Sequence, residues 1–438
     1  MIFGNPAVPT LQEMSFVEIA VRICNDPETM AFMKKYGPAS FIFPSNGLRA
    51  FINKEIPESS LQMKLSLRMT EEKCVLTAQN PTIWGFRRVS EYYNDFCFNT
   101  DRFTLNNLPS TMWEVMVLKK ISCLDFPNIL RNELVSIIRC VCLEIYRWHM
   151  EHEKENFEFE ILDIQKYFCW NGKGKINRIK TAKSLINNES LSVSARYKLA
   201  RHYGFERDVL SLWEIMSIDE KDYEKQLRDH YGHRTWFEYG ATGTVENPFH
   251  IFWYPVVTPL NFRVFFSLLT PTLRVEWYKT LINLKVIDYE DICSCLSVLQ
   301  KHEQENILRE YSSKILQYYL VWPLQKEFLN VTKNVWPYMS IENYINILNF
   351  IIFERILIGW KDFNYVWLLK DFWRQTPNNF KELAKKDEIY QLVLPVINCE
   401  LYKRCPNEML LEKYKGNDLE FHHFGINCNL SREIILVD

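Results

Sequence analysis

Residues 195–213 read ARYKLARHYGFERDVLSLW, and their spacing predicts two short helices joined by a tight turn. The small side chain of Ala200 lets neighbouring helices approach each other closely. Gly204 is suited to end the first helix, because glycine readily adopts the left-handed conformation found at helix C-termini. Val209 and Leu212 are three residues apart, which places them on one face of the second helix. The stretch therefore indicates a helical hairpin.

Helix-start signals recur along the rest of the chain. Thr10-Leu11-Gln12-Glu13 has the spacing of a capping box. Asp26-Pro27 places a proline at the first position of a second helix, and Gly37 is suited to end it. Few runs alternate with period two, as strands would. Three further starts precede apolar residues at helical spacing: Asp125-Phe126-Pro127, Thr270-Pro271 and Ser340. We therefore predict an all-α fold of stacked helical hairpins in two lobes.

An irregular stretch separates the two predicted lobes. Residues 233–258 contain two glycines, two prolines and seven aromatic residues without a clean period, which is typical of an ordered connector. The residues at the C-terminal end are also less periodic, and we expect them to pack as an extended end or to fray. The predicted units are an N-terminal lobe (1–232), the connector (233–258), a C-terminal lobe (259–414) and a tail (415–438).

The composition predicts a folded protein with a large core and no strong basic field. Of 438 residues 47% are hydrophobic, and the chain has only 13 glycines and 18 prolines. Lys and Arg total 52 against 54 Asp and Glu, so the formal net charge is −2 and we expect no nucleic-acid partner. The most apolar window, Tyr344–Trp360, contains two asparagines, a glutamate and an arginine that would be costly in a bilayer. We therefore expect no membrane partner.

The N-terminus and the cysteines indicate the compartment. The first residues lack the basic region of a secretory signal, and the twelve cysteines do not have the density of a disulfide framework. We expect reduced cysteines that serve as small core residues. The predicted localisation is cytoplasmic, with nuclear access left open.

Two parts of the chain resemble known helical families. The hairpin residues Leu199-Ala200, Gly204, Val209 and Leu212 are similar to the two-helix core of an ankyrin repeat, which implies a degenerate ankyrin-like or α-solenoid stack. The T-P-L-H signature and a 33-residue period are absent, so hairpins unrelated to ankyrin remain an equal alternative. A longer stretch, from Tyr167-Phe168-Cys169-Trp170 to Trp213, resembles an uncharacterised arthropod family that is expanded in spiders. That resemblance implies an architecture and no chemistry.

The N-terminal segment 10–52 resembles a SOCS box. Thr10, Leu11, Ser15 and Ile19 match the elongin C-binding box, in which a helix inserts its leucine into a pocket of elongin C; the stricter pattern has cysteine where this chain has Ser15. Phe43-Pro44 is similar to the proline-containing half that contacts a cullin. The resemblance implies a non-catalytic scaffold that acts as a substrate receptor of an elongin–cullin ubiquitin ligase, with elongin B, elongin C and a cullin as partners. A capped amphipathic helix that only packs on its neighbour explains the same residues without a partner.

The sequence also contains candidate residues for an enzyme site, a metal site and a phosphate-binding loop. Asp229, His230 and His233 would lie together at a helix end, which makes them the candidate site of the alternative function, an enzyme of unrecognised type; His230 and His233 are also the metal candidates. We predict no cofactor. The Gly-Lys loop at residues 170–175 lacks the length and the preceding strand of a phosphate cradle, so it predicts a turn. A purely structural assembly protein is the third alternative. Exposure of Leu11 would favour the adaptor, and its burial would exclude elongin binding.

Overall fold

The computed structural model describes a mainly helical chain, as predicted. The described residues are 8–52, 61–80, 83–99, 108–152, 164–203, 205–223, 266, 270–284, 288–399, 410–411, 413–414, 418–423 and 426–436. The α-helices up to residue 215 are α1 Leu11–Cys24, α2 Pro27–Tyr36, α3 Ser45–Ile52, α4 Pro109–Ser122, α5 Asn128–His152, α6 Arg178–Ile186, α7 Val193–His202 and α8 Glu206–Ile215. Those that follow are α9 Pro271–Leu284, α10 Tyr289–Val298, α11 Lys301–Tyr318, α12 Phe328–Val335, α13 Ile341–Asn349, α14 Tyr365–Gln375, α15 Asn378–Ala384 and α16 Tyr390–Asn398. A π-helical segment, Phe350–Leu357, continues α13.

The predicted helix starts are confirmed where local capping sets them. In α1 the backbone N–H of Glu13 donates to Thr10 Oγ1 at 3.2 Å, and the N–H of Thr10 donates to Glu13 Oε2 at 2.7 Å. This is the capping box that the spacing predicted. The side chain of Asp26 caps α2, which ends at Gly37 with a φ of 59°. Local signals therefore place these two helices.

The predicted hairpin is helical on both sides of Gly204, and Gly204 itself lies outside the described residues. The hairpin consists of α7 and α8, and α6, α7 and α8 contact each other in chain order. Ala200 is buried within this packing. The described residues bear out the helices, whereas their relation to ankyrin repeats stays a prediction.

A four-stranded antiparallel sheet was not predicted. Its strands are β1 Leu61–Asn80, β2 Ile83–Asn99, β3 Asp418–His423 and β4 Ile426–Leu436, in the order β2-β1-β4-β3. β4 pairs with β1 from Leu61↔Leu436 to Glu71↔Ile426, so the sheet joins distant parts of the chain. In β3 and β4 buried residues alternate with more exposed ones: Leu419, Phe421, Cys428 and Leu430 are buried. The predicted C-terminal tail thus includes two strands with one face on the core.

Contacts also join the two predicted lobes. Arg147 in α5 forms an ion pair with Asp288 at 2.8 Å. The N-terminal lobe also contacts the predicted tail, where the ring of Phe421 lies 6.3 Å from that of Phe43. The connector 233–258 lies outside the described residues, so the division into lobes remains a prediction. No helix among the described residues is long and apolar enough to cross a membrane.

Candidate functional site

Helix α1 buries one face and presents the other to solvent. The buried residues of α1 face the core, where the helix packs against α5; they are Phe16, Val17, Ala20, Ile23 and Cys24. Leu11 lies on the opposite side of the helix and is 76% exposed. Val8, which lies three residues before Leu11 and outside the helix, is 86% exposed. The criterion set by the sequence for an adaptor, an exposed Leu11, is therefore met.

The N-terminus of α1 is held in place by contacts around Leu11. The Lys326 Nζ lies 2.7 Å from Glu13 Oε1, which ties the first turn to the C-terminal part of the chain. Burial opposes ionisation of Glu13, but the hydrogen bonds from Lys326 and Thr10 lower the pKa of this carboxyl. Met14 packs against Gly172, where an added Cβ would lie 3.2 Å from Met14 Cγ. Leu11 thus projects from a fixed helix end.

The other predicted elongin-contact residues have different environments. Thr10 is exposed and its hydroxyl accepts within the capping box. Ser15 is exposed, and its hydroxyl donates to the carbonyl of Leu11 at 2.8 Å. Ile19 is partly buried and packs against the core. The structure therefore places Leu11 and Ser15 on the solvent face of α1, and Ile19 at its border.

Phe43 and Pro44, the predicted cullin-contact residues, lie in the core. Phe43 is 3% exposed and Pro44 is buried. The guanidinium of Arg139 donates to the carbonyls of Phe41 and Phe43 and pairs with Glu114 at 2.5 Å. Because the segment is clamped to α5, neither side chain is accessible to a cullin in this arrangement. An aromatic-proline pair can serve a core or an interface equally well, and only the packing distinguishes the two.

The histidine predictions receive no support from the described residues. Asp229, His230 and His233 lie outside them. His152 is buried, stacks on Trp148 with ring centroids 3.7 Å apart, and has its two ring nitrogens near the Trp148 carbonyl (2.6 Å) and the Tyr203 hydroxyl (2.8 Å). Burial holds the pKa of His152 well below its usual value, so the imidazole is neutral. Within the described ranges there is no group of three or more His, Cys, Asp or Glu residues that could hold a metal ion.

The Gly-Lys loop forms a turn, as predicted, but a tightly packed one. Residues 170 and 176 form an antiparallel bridge, and the Asn171 Oδ1 accepts from the N–H groups of Lys173 (2.9 Å) and Lys175 (3.0 Å). Gly174 has a φ of 67°, and a Cβ at this position would lie 2.7 Å from the ring of Trp322. A left-handed backbone and a close aromatic neighbour both require glycine here.

A cavity of about 520 Å³ opens beside this loop. Its first wall, the loop wall, is formed by the loop and the start of α6, and it contains Lys173, Lys175 and Arg178. The second wall is the acidic start of α10, from Asp288 to Asp291, and the third is the segment 318–324 with Trp322. The cavity therefore lies between parts of the chain that the sequence assigned to different lobes.

Buried ion pairs hold several of the residues that line this cavity. Glu144, on α5, lies 3.1 Å from Lys175 and 3.0 Å from Arg178. Burial alone would raise the pKa of Glu144, but these two cations and Arg147 lower it to about 2. Burial likewise opposes ionisation of Asp288, and the same cations hold its pKa well below the usual range. Both carboxylates are ionised at neutral pH.

Glu144 and Asp288 were not among the residues predicted from the sequence. Glu144 lies three residues after Val141 and four before Trp148, both of which are buried on one side of α5. A charged residue on such a side of a helix is rarely buried without a partner. Asp288 carried no signal beyond its position before a helix.

Compared with known protein-family models, curated proteins and solved structures, the chain shows no match.

Proposed function

We propose that this chain is a non-catalytic protein-interaction scaffold that uses the solvent face of α1 to hold a protein partner. The observation that carries the proposal is the 76% exposure of Leu11 on a helix end fixed by other contacts. The specific form of the proposal follows the SOCS-box resemblance: the partner is elongin C, bound with elongin B, and the protein is a substrate receptor of a ubiquitin ligase.

An exposed leucine alone is common on protein surfaces. What supports a docking role is preorganisation, because a side chain presented on a fixed helix loses less conformational entropy on binding. The capping box, the Lys326 contact and the packing of Met14 on Gly172 all hold the first turns of α1 without covering Leu11. Helix-in-groove recognition uses apolar anchors of this kind.

The contact surface of this proposal is limited to α1. Phe43 and Pro44 are not part of it, because both are buried. Of the predicted contact residues, Thr10, Leu11 and Ser15 are exposed, and Val8 is an exposed residue just before the helix. Attachment to a cullin would then depend on elongin C and on surfaces other than the Phe43-Pro44 pair.

Co-purification with an elongin B–elongin C complex tests the proposal. We expect capture by the full chain and at least a tenfold loss of capture for Leu11→Asp, because an aspartate cannot enter an apolar pocket. Ile129→Asp is the matched control, since Ile129 is 77% exposed at the start of another helix. This control is expected to bind like the wild type.

Circular dichroism of all three proteins shows whether each is folded. Equal capture of Leu11→Asp and the wild type would overturn the proposed role of Leu11. Failure of a folded wild-type chain to bind the complex would remove elongin C as the partner.

A further inference from the structure

The charges around the cavity beside the Gly-Lys loop are balanced. The loop wall contributes three cations, Lys173, Lys175 and Arg178, and the opposite wall contributes three carboxylates, Asp288, Glu290 and Asp291. A phosphate or another simple anion would approach the cations but would be repelled by the carboxylates. A simple cation would be attracted by the carboxylates but repelled by the three cations. The lining therefore suits a ligand that carries one charge of each sign.

One ion pair at this cavity can open at little cost. Lys173 Nζ lies 2.9 Å from Glu290 Oε1, and the two side chains are 19% and 52% exposed. Ion pairs in contact with solvent contribute little to stability, so a ligand can replace this one. By contrast, Glu144 and Arg147 of α5 are buried, and their pairs with Lys175 and Asp288 attach both walls to α5.

The third wall is mainly apolar. Val321, Trp322 and Leu324 line it, and Trp322 is held against Gly174 of the loop. The cavity volume, about 520 Å³, falls within the range of roughly 300–1,000 Å³ that is typical of small-molecule sites. The space suits an apolar side chain next to a pair of opposite charges.

We propose that this cavity binds a free α-amino acid with an apolar side chain. Its carboxylate would pair with Lys173, its ammonium group with Glu290, and its side chain would contact Trp322. The ligand exchanges one ion pair for two, and its apolar side chain adds contacts with the apolar wall. This site is separate from the solvent face of α1 and does not depend on the proposed partner.

Isothermal titration calorimetry of the full chain with L-leucine and L-tryptophan tests this proposal. We expect both to bind, whereas tryptamine, which lacks the carboxylate, and indole-3-propionate, which lacks the ammonium group, should bind at least tenfold more weakly. Glycine should also bind weakly, because it has no side chain for the apolar wall.

Two variants and a matched control locate the site. Lys173→Met and Glu290→Gln should each reduce affinity for L-leucine at least tenfold. Lys279→Met removes a comparable exposed pair, that of Lys279 with Glu310 at 2.7 Å, which does not line the cavity, and should leave affinity unchanged. Binding of inorganic phosphate but of no amino acid would overturn the proposal, as would an absence of any heat with both amino acids. Equal affinity of the two cavity variants and the wild type would place the binding elsewhere.

Discussion

Asp362 is a buried acid that accepts hydrogen bonds from two neighbouring side chains. Its Oδ2 accepts from the side-chain amide of Gln325 at 2.6 Å and from the hydroxyl of Tyr365 at 3.1 Å. The same hydroxyl lies 3.0 Å from the carbonyl of Leu320, which also accepts from Arg355 Nε at 2.9 Å. Burial raises the pKa of Asp362 to about 6, and the charge of Arg355 offsets only part of this effect.

Replacement of Asp362 by asparagine should therefore remove a pH dependence of stability. The pKa rises from 3.8 to about 6 on folding, so the stabilisation is fully present below pH 3.8 and is lost as the pH rises through 6. At about 1.4 kcal/mol per pKa unit the full effect is about 3 kcal/mol, and about 2 kcal/mol of it should be lost by the wild type relative to Asp362→Asn between pH 4 and pH 8. Urea unfolding at several pH values measures this difference.

Several charged or titratable groups influence the pKa of Asp362 and must be considered when its pH dependence is interpreted. They are Arg355, Tyr365, Glu133 and Cys140. Asp26→Asn is a control that should change the pH dependence of stability in the opposite direction, because the contact with Lys120 lowers the pKa of Asp26. Asparagine remains a good N-cap, so the helix start is kept. A difference between wild type and Asp362→Asn that does not vary with pH would contradict the prediction.

At the scale of elements, the turn of residues 170–176 connects three parts of the fold. Met14 of α1 packs on Gly172, and the ring of Trp322 packs on Gly174, whose nearby atoms also include Val17. The same turn carries Lys173 and Lys175 to the cavity. One short segment thus supports both the fixed end of α1 and the cavity wall.

Gly174→Ala should destabilise the protein more than Gly172→Ala. At Gly174 the φ of 67° is strained for alanine, and the new Cβ would lie 2.7 Å from a packed aromatic ring. At Gly172 φ is not positive, and the nearest atom, at 3.2 Å, belongs to the flexible side chain of Met14. We expect a loss of about 1–3 kcal/mol for Gly174→Ala in urea unfolding. Equal losses for the two variants would show that the close contact with Trp322 does not matter.

At the scale of the whole molecule, buried contacts tie together the lobes that the sequence separated. Arg147 is buried in α5 and pairs with Asp288 at the start of α10. A more exposed pair, Glu13 with Lys326, also joins the lobes, and the ring of Phe43 contacts that of Phe421 in the predicted tail. Contacts of this kind make the parts unfold together.

We expect a single calorimetric unfolding transition that Arg147→Met shifts as a whole. Loss of one partner of a fully buried pair costs about 3–5 kcal/mol. A quarter of the Asp288 side chain is exposed, so we expect about 2–3 kcal/mol here. Lys385→Met, which breaks a solvent-exposed pair with Glu382, is the control and should leave the transition in place. A second transition that stays at the wild-type temperature in Arg147→Met would show independent lobes.

Much of the helical fold could be predicted because its signals are local. Thr10 and Glu13 are three residues apart, and Asp26 directly precedes Pro27, so each helix start is encoded within one turn. The strands β3 and β4 also alternate locally, but β4 pairs with β1 more than 350 residues away in sequence, and β3 joins the sheet through β4. Pairing over that distance leaves no mark on the spacing of nearby residues.

The candidate sites were likewise predictable only where their signals are local in the sequence. The spacing of Leu11, Ser15 and Ile19 placed them along one helix, but only packing decided that Leu11 is exposed and that Phe43 is buried. The Gly-Lys loop was recognised as a turn, whereas its position opposite Asp288 and Glu290 depends on contacts across more than 110 residues. The sequence by itself determined the mainly helical character, several helix ends and the balanced charge. Tertiary structure decided which faces are free and which charges meet, because burial and ion pairing depend on distances in space rather than along the chain.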